Sequence, residues 1–114
     1  IYASHPDLLV AGEVAMCAVY PDARNPFAHT DLTEEAWTVD EVWIMASGDP
    51  SATTFIDVTD TFDRKVEALR AHVSQTSHMD DLSARIRMWA TVTAEKAGFE
   101  TGRLAEGFRV VDTR

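Results

Sequence analysis

EVWIMASGDPSATTFIDVTD, Glu41–Asp60, sets the fold class of this chain. Its first part, Glu41–Ser47, is a near-continuous apolar run rich in strand formers. GDPSAT then reads as a turn, and Thr54–Val58 as a second short strand. Continuous apolar strands flanked by helices predict an α/β sheet covered on both faces. The helices follow directly. Thr59-Asp60 opens one whose apolar face is Phe62, Val66, Leu69 and Val73, at spacings of a single helical stripe, with Asp60 as its N-cap. SQTSH breaks it. A further helix is predicted over Asp80–Ala97, with Leu82, Ile86, Trp89 and Val92 or Thr93 on one side and Gly98 as its stop. Phe108–Asp112 closes the chain as an edge strand.

Upstream, Leu8–Tyr20 is apolar almost all round, interrupted by Gly12 and Glu13, and its length favours a buried helix. Ser4 is the expected cap, Pro6 suits the first turn, and Asp7 complements the positive end of the helix dipole. Pro21-Asp22 ends it. Pro21–Asp40 reads as a long irregular connection, with a short helical turn at Thr33–Trp37. The order is helix, loop, strand, strand, helix, helix, strand. Three strands are few for an open α/β sheet. The 114 residues suit one domain, and 46% hydrophobic residues can supply a core.

A formal charge of −9, from 19 acidic against 10 basic residues, disfavours nucleic acid as a partner. No apolar run approaches the roughly 18 residues of a membrane span, and no secretory signal pattern is present. Cys17 is the single cysteine, which fits a reducing cytoplasm, and in an apolar helix it is expected to be buried and inert. Ile1 is not a start methionine, so the chain is expected to begin partway through a gene product, or after processing, and to represent the later portion of a larger α/β domain.

Four segments carry a resemblance. They are HPDLLVAGEVAMCAVYPDARNP (His5–Pro26), VDEVWIMAS (Val39–Ser47), FIDVTDTFDRKVEALRAHVSQ (Phe55–Gln75) and GRLAEGFRVV (Gly102–Val111). In this order they resemble the second half of the LmbE-like, or PIG-L, family of zinc-dependent N-deacetylases. The resemblance implies a partial Rossmann-like sheet covered by helices, a single partial domain spanning residues 1–114. It also implies zinc as cofactor and a small N-acetylated substrate such as an amino sugar. In the family, two histidines and an aspartate hold zinc, a further aspartate takes the proton of the metal-activated water, and acetate is released.

By the same resemblance His5 matches the histidine that faces the substrate carbonyl, and Asp7 the aspartate that orients its imidazole. Leu8 stands where the family has its third zinc ligand, and leucine has no lone pair to donate. The family's opening Ala-His-Pro-Asp-Asp-Glu motif is not in this sequence. Ser77–Asp81, SHMDD, imitates it but reads as a helix start. Without the resemblance His5 and Asp7 read as helix-cap residues.

Two functions follow. One is the later portion of an N-deacetylase, not active as this chain alone. The other is a non-catalytic binding or interaction module that has lost its zinc site. In either case a truncated sheet would expose a strand edge and an apolar face, which predicts self-association or docking with the missing opening portion.

The remaining polar and aromatic candidates are weaker. His29 beside Asp31 offers a metal-ligating pair or a solvated loop histidine. His72 reads as structural, hydrogen-bonded to a backbone carbonyl, with Ser74 and Gln75 closing the helix. Trp43 and Trp89 are expected in the core. Trp37 suits a sugar pocket or a lid over the sheet.

Overall fold

The computed structural model describes residues 5–114, so Ser4, the expected first cap, lies outside the described residues. The chain divides into two compact units. The first runs to Val42 and includes Asp112–Arg114; the second is Trp43–Val111.

In the first unit, helix α1 spans Pro6–Cys17. Its cap is His5, whose Nδ1 accepts the Asp7 backbone N–H at 3.3 Å. Proline in the first turn and the acidic Asp7 complete a favourable start. A wide turn, Ala18–Asp22, then opens at Tyr20, whose φ of −152° and ψ of 126° are extended. The Tyr20–Pro21 peptide is cis. The expected burial of this helix is not found: Leu8, Leu9, Val10, Val14 and Met16 are exposed, and so is Cys17. All-round apolarity identifies a helix that needs cover on several sides. The loop that follows forms no helix or strand to supply it.

That loop is held by backbone and side-chain hydrogen bonds. The Trp37 N–H donates to Ala23 O at 2.7 Å. The Arg24 guanidinium donates to Thr113 O, and the Thr113 hydroxyl to Val39 O. The helical turn expected at Thr33–Trp37 is absent, because the Trp37 amide reaches across the loop instead of back to Thr33.

The sheet is three-stranded and antiparallel, β1 (Glu41–Met45), β2 (Thr54–Asp57) and β3 (Ala105–Asp112), in the order β1-β3-β2. Thr54 stands opposite Phe108 and Asp57 opposite Ala105. Ala46 N–H donates to Gly107 O on the other side of β3. The closing strand is therefore central and begins three residues earlier than expected. The edge placement expected for it does not hold; a central strand of a sheet open on one face also alternates polar and apolar residues, so alternation does not mark an edge. Gly107 eases the close approach on both sides. A Cβ there would stand 3.2 Å from Ala52 Cβ and 3.3 Å from the Phe55 ring.

The core lies on the side where the helices pack. A 3₁₀ turn, Thr59–Thr61, leads into α2 (Phe62–Arg70); α3 (Val73–Thr76) and α4 (Leu82–Lys96) follow. Phe62, Val66, Ala90 and Leu104 form one buried cluster, with Val58 and Ile86 packed against it. The predicted stripe thus holds for Phe62 and Val66. Val73 is 65% exposed, since the non-helical φ −83°, ψ 63° of His72 ends α2 before it. His72 acts through its backbone, donating to Leu69 O and accepting from Gln75 and Thr76. Ser74 and Gln75 lie inside α3 and do not close α2.

On α4 the buried line is Leu82, Ala90, Thr93 and Ala94, with Trp89 54% exposed. Small alanines allow close approach, which puts the bulky indole outside. The buried Thr93 hydroxyl is satisfied by donating to Trp89 O at 3.0 Å. Trp43 is likewise half exposed, edge-on to Phe108 with ring centroids 5.5 Å apart. Ile44 and Met45 are exposed too. The expected cover on both faces of the sheet is therefore not seen among the described residues. A continuous apolar run does not say which face receives a helix.

The α4 stop is as expected. Gly98, at φ 76°, donates to Glu95 O, and Phe99 N–H donates to Ala94 O, the paired bonds of a Schellman cap. No helix among the described residues is long and apolar enough to cross a membrane.

Two substitutions test this packing. Phe62, only 1% exposed, is expected to cost about 3–5 kcal/mol when changed to alanine, measured from denaturant unfolding. Gly98→Ala, which forces a Cβ into the left-handed region, is expected to cost about 1 kcal/mol in the same assay.

Candidate functional site

The residues singled out by the resemblance sit together at the start of α1. His5 Nδ1 lies 3.3 Å from the Asp7 N–H nitrogen and 3.3 Å from Asp7 Oδ2. One nitrogen cannot serve both contacts at once. Unprotonated, Nδ1 accepts the amide and caps the helix; protonated, it donates to the carboxylate. Both side chains are exposed, and so is Leu8, at 67%. Cap and site are therefore the same two residues.

The donor set does not make a zinc site by itself. Leu8 offers no donor, and among the described residues no group of three His, Cys, Asp or Glu side chains is disposed to hold a metal ion.

His29 does not pair with Asp31. Its Nε2 lies 3.7 Å from Asp22 Oδ2, across the loop. The two border a cavity of about 280 Å³ that Glu34, Glu35 and Trp37 also line. Trp37, 70% exposed, borders this concavity. Asp22 was missed as a lining residue because it was read only as a helix terminator, and no local sequence signal links it to His29 seven residues on.

The acidic cluster at the end of β2 resolves into a structural junction. Asp57 Oδ1 accepts the Thr59 hydroxyl at 2.6 Å and the Thr59 N–H at 2.9 Å. Asp57, not Asp60, is therefore the aspartate that orders this corner, since the chain makes a 3₁₀ turn containing Asp60 before α2 begins. The bonds from the Thr59 hydroxyl, and next from its backbone, hold the Asp57 carboxyl below the usual carboxylate range. Arg103, 3.4 Å away, adds to this. Asp63 points elsewhere, 4.0 Å from Arg87. Residues His78–Asp81 form the turn before α4, which begins at Leu82, two residues later than expected; Asp81 stands at its N-cap position but its side chain makes no capping bond, and neither aspartate lies in the first helical turn.

No family model, curated protein or solved structure matches this chain.

The depressed pKa of Asp57 sets the sign of an acid effect. Its contribution to stability is complete above the unfolded value of about 3.9 and is lost as pH falls through the lower folded value. Asp49, bonded by Ser51, and Asp112, bonded by Arg114, are lowered in the same direction. Asp57→Asn is expected to make the loss of stability below about pH 4 shallower without abolishing it, as read from urea midpoints across the acid range. An unchanged acid limb would refute the assigned role of Asp57.

Proposed function

We propose that this chain is the later portion of an LmbE-like, metal-dependent N-deacetylase acting on a small N-acetylated molecule such as an amino sugar, and that it is not active alone. The supporting observation is the order of the four segments and the elements they occupy. His-Pro-Asp stands at the loop-to-helix start of α1, and Val39–Ser47 contains β1. The Asp57-Val58-Thr59-Asp60 run is a strand-to-helix junction, and Gly102–Val111 enters β3.

In this reading His5 meets the substrate carbonyl. With Nδ1 accepting the Asp7 amide, the ring proton sits on Nε2, which then donates to the carbonyl oxygen. Asp7 orients the ring in either tautomer. The charge of −9 counts against a nucleic-acid partner, and the single Cys17 is consistent with a cytoplasmic setting.

A second reading is favoured by Leu8 and by the exposed apolar side chains of α1: a non-catalytic LmbE-like module that has lost its zinc site and associates through that surface. Self-association is the expected form, and the same surface would receive the missing opening half of the domain.

Coding sequence upstream of Ile1 is expected to hold a His-Pro-Asp-Asp-like motif, and its absence overturns the enzymatic reading. Stoichiometric zinc in protein purified without chelator would overturn the non-catalytic one. In a gene product carrying that motif, Leu8→His is expected to tighten zinc binding by about tenfold or more in a calorimetric titration. No gain would show that the loop is misaligned with the family. Light scattering on the chain as it stands is expected to report more than one copy per particle, and a monodisperse monomer would refute self-association.

A further inference from the structure

We draw no further inference here: the strongest candidate, the cavity of about 280 Å³ in the loop after α1 with Asp22, His29, Glu34, Glu35 and Trp37 on its walls, is a cluster of exposed acidic side chains into which, among the described residues, no buried unpartnered polar group points.

Discussion

The Thr59 hydroxyl joins the end of β2 to the entrance of β3, 45 residues further along the chain. It donates to the Asp57 carboxylate at the end of β2 and accepts the Leu104 N–H at the entrance to β3. Beside it, Val58 N–H donates to Leu104 O at 2.8 Å. These bonds fix where β2 stops and where β3 starts. Two residues later the 3₁₀ turn ends, and Phe62 enters the core beside Leu104. Without that corner the aromatic ring that anchors α2 would have no fixed position against the sheet. The partly buried Lys65–Glu106 ion pair adds a second tie between α2 and β3, one helical turn along.

The two units are ordered by different physics. Every described residue that is fully buried lies in Trp43–Val111. That unit has a hydrophobic core, although a small one dominated by one phenylalanine. Among its described residues the first unit has none. Its loop is shaped by hydrogen bonds from Trp37, Arg24 and Thr113, and bonds of this kind, exchanged against water, contribute only about 1 kcal/mol each. The exposed apolar side chains of α1 therefore stand on the unit least able to hold itself by burial. This contrast motivates an associating surface there more than helix composition does.

Local sequence signals located most of the elements. The β-rich runs became β1 and β2, the Phe62–Val66 spacing became α2, and Gly98 ended α4. These depend on neighbours within a few residues. Burial depends on what arrives from elsewhere in the chain, and there the reading was less successful. Trp89 is large and apolar but lies beside small residues that do the packing, Trp43 meets Phe108 only edge-on, and among the described residues of its unit α1 has no covering layer. The central place of β3 could not be read from Phe108–Asp112 itself, because it depends on which strands pair with it from elsewhere in the chain. At the candidate site, His5 and Asp7 were legible as neighbours, since they are two residues apart on a capped helix start. The approach of His29 to Asp22 was not, since it is made by the path of an irregular loop.

β1 and β2 are consecutive in the chain, yet they never pair, because β3 lies between them. Each gains its partner only when residues from the far end of the chain return, as the Gly107 N–H does in donating to Ser47 Oγ across 60 positions. The sheet is thus a non-local assembly, entropically more costly to close than the helices that precede β3. Its completion depends on the direction in which the chain leaves α4 at Gly98.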